Sequence, residues 1–156
     1  MPDLATHAIT GYLLSRPAPV RKQAAWIVTG AVLPDVLNRV PTMVFSDLSW
    51  ALMPLHTPFT IFLCCYALAL LLPTQPLRTN VCIALIAGAA THFCLDALQR
   101  HIGPGYVWLF PFSWASSNWG VFWPEDSLRF LPVLCAVAAG VWFVENRNLL
   151  LRLVKR

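Results

Sequence analysis

The sequence predicts an all-α protein: a compact membrane bundle of about five helical segments, three to four of them membrane-embedded. Hydrophobic residues make up 58% of its 156 residues and charged residues only 12%, and the mean hydropathy is +0.62. A soluble domain carries about 25% charged residues, so this chain has too few to cover a surface in water. The length fits a single domain over residues 1–156.

Prolines and apolar runs divide the first part of the chain into helical segments. The first segment, residues 4–15, stops before an Arg-Pro pair, and the second, residues 20–33, ends at Pro34. Both ends are predicted because proline lacks an amide hydrogen and its ring clashes with the preceding helical turn. Residues 36–54 contain two further prolines, which predict a loop with a short interfacial helix.

Three further stretches complete the chain. The third segment, residues 59–72, is the most apolar and is closed by prolines, and the fourth, residues 80–99, is apolar until His92 and amphipathic beyond it. A long loop over residues 100–124 is rich in Trp, Pro and Gly, which predicts aromatic anchors at the lipid–water boundary. The fifth segment covers residues 126–144 and continues into a basic tail.

Charge separates the segment ends into two faces if successive segments alternate in direction. The basic face collects Arg16, Arg21, Lys22, Arg78, Arg147, Arg152, Lys155 and Arg156. The acidic face collects Asp3, Asp35, Asp47, Asp96, Glu125 and Asp126, with Arg39, Arg100 and Arg129. Basic loops stay cytoplasmic, so the acidic face is expected to look away from the cytoplasm. The net charge of +4 is then membrane-flanking, and without a basic stripe interleaved with aromatics no nucleic-acid partner is predicted.

All four histidines fall on the acidic face, namely His7, His56, His92 and His101. His92 and Asp96 are four residues apart, so on a helix they share one side, about 6 Å apart at their Cβ atoms. The predicted alternation brings one set of polar residues to the same end of the bundle: Asp3, His7, Asp35, His56, His92 and Asp96.

Imidazole nitrogens together with carboxylate oxygens suit zinc, and also manganese or iron. Ionisable groups at membrane depth are expensive and mark function by default. Each residue also has an ordinary alternative: a lone His7 can cap or hydrogen-bond, a Pro-Asp pair forms turns, and His101 suits a loop. Ser113 lacks the surroundings of a nucleophile and is expected to brace its loop.

The motifs resemble, in order, those of the membrane-bound metal-dependent hydrolase family, which consists of small inner-membrane proteins of bacteria. The matching stretches are Thr6-His7-Ala8-Ile9-Thr10-Gly11, Pro34-Asp35, His56-Thr57-Pro58-Phe59, Thr91-His92-Phe93-Cys94-Leu95-Asp96 and Pro111-Phe112-Ser113. That family is similar in turn to zinc-dependent phospholipase C. The resemblance implies metal ligands at His7, Asp35, His56, His92 and Asp96.

The chain departs from the family pattern at two points. A second acidic residue often follows Pro-Asp in the family, where this chain has Val36-Leu37-Asn38, and the region before His56 lacks a second histidine. These departures favour one or two divalent ions, with zinc expected, over a full three-metal site.

The leading hypothesis is metal-dependent hydrolysis of an ester or phosphoester, with a membrane lipid as partner and candidate substrate. His92 and Asp96 are the expected catalytic residues, and Asp96 is either a ligand or the base that orients water. Two alternatives stay open: a non-enzymatic membrane protein, such as a transporter or metal-binding subunit, and a family member that has lost activity. The expected location is the bacterial inner membrane.

Overall fold

The computed structural model describes residues 3–17, 19–100, 105–117 and 119–154, with side chains through residue 147. The helices are α1 (Leu4–Leu14), α2 (Ala24–Val44), α3 (Ser49–Leu52), α4 (Pro58–Leu70), α5 (Gln75–Leu98) and α6 (Pro124–Val154). Single 3₁₀ turns cover Arg21–Gln23, Ser46–Leu48 and Met53–His56. These described ranges hold no β-strand, only isolated bridges between Gln99 and Phe122 and between Tyr106 and Ser117. The predicted all-α bundle is confirmed.

Helix α2 crosses α5 at the centre of the bundle, and glycines let the two backbones approach closely. A Cβ atom at Gly30 would meet the Leu85 carbonyl, and one at Gly88 would meet the Ile27 carbonyl. Gly11 serves the α1–α2 contact in the same way, since a Cβ there would lie 2.9 Å from the Ala31 Cβ. Small residues at helix crossings are typical of membrane proteins, in which close van der Waals packing drives helix association.

The predicted end of the second segment at Pro34 is wrong. Helix α2 continues through Pro34 and Pro41 to Val44, because its second half packs against α5 and the 3₁₀ turn that ends at His56. Proline is tolerated inside membrane helices where neighbouring groups satisfy the freed backbone atoms. The short interfacial helix predicted for this region is present as α3, between its two 3₁₀ turns.

The other boundaries shift less. Helix α5 begins at Gln75, five residues before the predicted start, because Pro76 occupies its first turn, where no amide donor is required. Helix α6 runs to Val154 and so includes most of the predicted basic tail. Helices α1 and α4 lie within two residues of their predicted bounds.

Among the residues that the structure describes, two helices are long and apolar enough to cross a membrane, over residues Gln75–Leu98 and Pro124–Arg147. The pair Ser46–His56 and Pro58–Leu70, bent by 75°, would make a third span. Helix α1 is apolar but shorter, with 11 residues. At its C-terminal end Arg16 and Arg21 reach Glu145 of α6, at 3.2 Å and 2.6 Å. These ion pairs tie α1 to α6 at the end of the bundle away from His7.

Candidate metal centre

The Asp96 carboxylate is surrounded by three imidazole rings at one end of the bundle. His56 Nε2 lies 2.8 Å and His92 Nε2 3.2 Å from Asp96 Oδ2, and His7 Nε2 lies 3.4 Å from Asp96 Oδ1. The His7 and His92 rings stack with their centroids 3.8 Å apart. No more than 3% of any of these four residues is exposed. Three ring nitrogens thus converge on one buried carboxylate.

Local sequence explains how each histidine reaches this point. His92 and Asp96 share one face of α5 through their four-residue spacing. His56 ends a 3₁₀ turn directly before Thr57, which caps α4, and proline occupies the first position of that helix. His7 lies in the first turns of α1, which Asp3 caps by accepting hydrogen bonds from the Thr6 backbone and hydroxyl at 2.9 Å and 2.7 Å.

The tautomer of His92 follows from its backbone contact. Its Nδ1 lies 2.8 Å from the Ala31 carbonyl oxygen, which can only accept, so Nδ1 carries the proton. The Nε2 of a neutral His92 therefore has a lone pair and no hydrogen. That lone pair faces Asp96 Oδ2 at 3.2 Å, so two acceptors meet in a buried site. A proton or a metal cation between them would remove this conflict.

Asp35 adds a second carboxylate to the cluster. It lies on α2, is fully buried, and neither of its oxygens makes a hydrogen bond among the described residues. Arg39, one turn further along α2, has its Nε 3.1 Å from Asp35 Oδ1, which is an ion pair without hydrogen-bond alignment. Asp35, His56 and His92 each offer a ligand atom within 4.8 Å of the other two.

The donor set and its spacing fit a divalent metal ion. A tetrahedral zinc site with bonds of about 2.0–2.1 Å places its ligand atoms about 3.3 Å apart. Here Nε2 of His92 lies 3.3 Å from Nε2 of His56, and the distances from His7 and His92 to the Asp96 oxygens are 3.4 Å and 3.2 Å. Several buried polar atoms have no hydrogen-bond partner within the described part of the chain, including His7 Nδ1, His56 Nδ1 and Asp96 Oδ1.

The described residues offer two candidate ligand groups, and these share one residue, which limits how both could be filled. One consists of His7, His92 and Asp96 and the other of Asp35, His56 and His92. Because Nδ1 of His92 donates to the backbone, the ring has a single lone pair to offer. A carboxylate can bridge two ions, but this imidazole cannot. The geometry therefore favours one ion, with a second only if Asp96 bridges.

Tyr106 belongs to this site, although sequence reasoning missed it. Its ring stacks on His56 with centroids 5.0 Å apart and an angle of 17° between planes. Burial raises the pKa of its phenol, and the neighbouring Asp96 and Asp35 carboxylates act in the same direction. A cavity of about 230 Å³ is lined by Tyr106, His56 and Asn38, so it reaches one member of the buried cluster.

The remaining polar residues have structural roles or lie elsewhere. Asp3 caps α1 as described above, so it is not part of the cluster. Its pKa is lowered because, although burial acts to raise it, the hydrogen bonds from Thr6 outweigh burial. Ser113 accepts a hydrogen bond from the Ala115 backbone at 3.1 Å and so braces its loop. His101 lies outside the described residues.

These features define a helical membrane protein with a buried histidine–aspartate centre. The sequence model of the YdjM inner membrane protein family matches residues 1–154, so the chain belongs to that family. Searches of curated proteins and of solved structures gave no match. The family description supports the predicted inner-membrane location.

Proposed function

We propose that this protein is a metal-dependent hydrolase of an ester or phosphoester, acting on a lipid at the membrane boundary. The cavity beside the donor cluster carries the proposal, because it reaches His56 and Tyr106 from outside. A structural metal site is closed by its ligands, whereas a catalytic site keeps a position open to water or substrate.

His92 would hold the ion, either with His7 and Asp96 or with Asp35 and His56, because these are the two groups whose ligand atoms lie within 4.8 Å of one another. We propose that the ion is zinc. A bound divalent ion supplies Lewis acidity and makes hydroxide available near neutral pH. Asp96 would be either a ligand or a base, since its oxygens lie within 3.4 Å of three imidazole nitrogens. The Ala31 carbonyl would orient His92 and keep its Nε2 available, a task that outer hydrogen bonds perform in metal sites.

A non-enzymatic metal-binding protein is the alternative. It is favoured by the near-complete burial of all five proposed ligands, which would suit storage or a structural role. A family member that has lost activity would share the same features. Turnover measurements on metal-loaded protein separate these alternatives from the hydrolase.

The decisive experiment is metal analysis of detergent-purified protein after gel filtration. Wild type should hold about one zinc per chain and His92→Ala almost none, because His92 belongs to both ligand groups. Asp96→Ala should lose the ion if Asp96 is a ligand and keep it if Asp96 is the base. Asp47→Asn, which changes an exposed aspartate, is the matched control and should retain the ion. Negligible metal in wild type would refute the proposal.

The same samples are then given short-chain phosphoester and carboxyl-ester lipids. The hydrolase proposal is supported if wild type hydrolyses a lipid ester and the variants that have lost the metal do not. Retained metal without turnover of any ester would favour the non-enzymatic alternative.

A further inference from the structure

The second half of α2 presents a polar face that leads away from the metal centre. Asp35, Asn38, Arg39 and Thr42 follow the three- and four-residue spacing that aligns side chains along one helix face. Asp35 is fully buried, whereas the Arg39 side chain is 37% exposed. The polar face thus runs from the cluster towards the surface.

Two cavities along this face share Asn38 and Thr42 as lining residues. One, of about 230 Å³, is lined by His56 and Tyr106 together with Asn38 and Thr42. The other, of about 280 Å³, is lined by Arg39 and again by Asn38 and Thr42. Asn38 and Thr42 therefore lie between the cavity that reaches His56 and the cavity that reaches Arg39.

The donors on this face suit an anion. The Asn38 amide nitrogen makes no hydrogen bond to any described residue, whereas the Thr42 hydroxyl already donates to the Asn38 backbone carbonyl at 2.6 Å. The donors that an anion could use are therefore the Asn38 amide and the Arg39 guanidinium. A guanidinium group matches the geometry of phosphate better than any other side chain. The two carboxylates of Asp35 and Asp96 carry more negative charge than the Arg39 guanidinium offsets. An anion would therefore be repelled until a divalent ion occupies the cluster.

The surroundings of this face are apolar. Met43, Val44 and Phe45 follow it directly, with 84%, 67% and 56% of their surfaces exposed, and Trp50 of α3 is 68% exposed. Exposed apolar residues of this kind suit contact with acyl chains at the bilayer boundary. A molecule that contacts both the polar face of α2 and these apolar residues would need an anionic headgroup and an apolar tail.

We infer that Asn38 and Arg39 form an anion-binding subsite, bordered by Thr42, that holds the phosphate group of an amphiphilic substrate beside the metal centre. Arg39 is the residue that determines specificity for the negative charge. This inference rests on the proposed function and narrows its substrate class.

The test is calorimetric titration of zinc-loaded protein in detergent with three probes. These are inorganic phosphate, dihexanoyl phosphatidic acid and neutral dihexanoylglycerol. We expect phosphatidic acid to bind more tightly than phosphate, because it also contacts the apolar rim. Arg39→Gln should weaken the binding of both anions by about tenfold to a hundredfold, which is the usual loss of affinity for a charged hydrogen bond. Arg39→Lys keeps the positive charge but not the paired N–H donors of the guanidinium, so it should lose less anion affinity than Arg39→Gln.

Arg129→Gln is the matched control, since it removes an arginine whose side chain is 79% exposed at the start of α6. It should leave all three affinities unchanged. Metal content and the helical circular dichroism signal confirm that the Arg39 variants fold. If metal-loaded Arg39→Gln binds the anions as tightly as metal-loaded wild type does, the inference is overturned and the hydrolase proposal stays intact. Wild type without metal overturns both. Equal affinity for phosphate and phosphatidic acid overturns the assignment to an amphiphile.

Discussion

Replacing Gly88 with alanine should separate α2 from α5 and thereby dismantle the metal centre from a distance. A Cβ at this position would run into the Ile27 carbonyl and lie 2.7 Å from the Ala31 nitrogen. These are backbone atoms, which cannot rotate away as a side chain could. The two helices must move apart by well over 1 Å to restore an ordinary carbon–oxygen contact of about 3.4 Å.

This movement has two costs. Overpacking of a well-filled interior destabilises by about 1–3 kcal/mol. The same shift stretches the contact between His92 Nδ1 and the Ala31 carbonyl from 2.8 Å to a length at which no hydrogen bond remains. An unsatisfied buried group adds about 1–3 kcal/mol, and loss of an outer-sphere partner lowers metal affinity by about 10–100-fold.

Thermal unfolding in detergent and zinc titration measure the two effects. Gly140→Ala is the control, because nothing lies within 4 Å of a Cβ at that position on α6. It should keep the wild-type melting temperature and zinc affinity. If Gly88→Ala behaves like Gly140→Ala in both assays, the close helix crossing does not support the metal centre and the reasoning is refuted.

Three further predictions test individual roles. Asp3→Ala should cost about 1 kcal/mol of stability through the lost cap of α1 while retaining zinc; loss of the ion would make Asp3 a ligand. Tyr106→Phe keeps the ring that stacks on His56 and should therefore keep the wild-type zinc affinity. Tyr106→Ala removes the ring and should weaken zinc binding about tenfold. Equal zinc affinities of the two variants would exclude a positioning role for the ring. A C-terminal reporter that is active only outside the cytoplasm should stay silent, since Arg16 and Arg21 lie with Glu145 at the end away from His7; an active reporter would invert the proposed orientation.

Sequence reasoning succeeded where a single helix or its composition decides the outcome. The spacing of His92 and Asp96 predicts a shared helix face, and that face is the one that α5 turns inward. Composition alone predicts the helical membrane bundle, because so few charged residues cannot form a soluble surface. The convergence of His7, Asp35 and His56 with that pair also agrees with the predicted alternation of segments.

The failures arise where tertiary contacts override local preference. Pro34 ordinarily ends a helix, yet packing against α5 carries α2 ten residues beyond it. Tyr106 lies in a loop whose path depends on the pairing of its backbone with Ser117, at 3.2 Å and 3.1 Å, and on Gly105 with a φ of 85°. Neither the pairing nor the side-chain stack on His56 has a signature in the sequence.

The continuation of α2 matters for chemistry as well as for architecture. Had the chain turned at Pro34, Arg39 would have lost the four-residue helical spacing that sets its guanidinium beside Asp35. Asp35 would then be a buried carboxylate with no cation near it before metal arrives, which is costly in a protein interior. With Arg39 in place, the Asp35 carboxylate has a cation 3.1 Å away. If the proposed ion binds Asp35, the Arg39 guanidinium could contact an incoming anion, so the same helical register would serve both the proposed metal centre and the proposed anion-binding subsite.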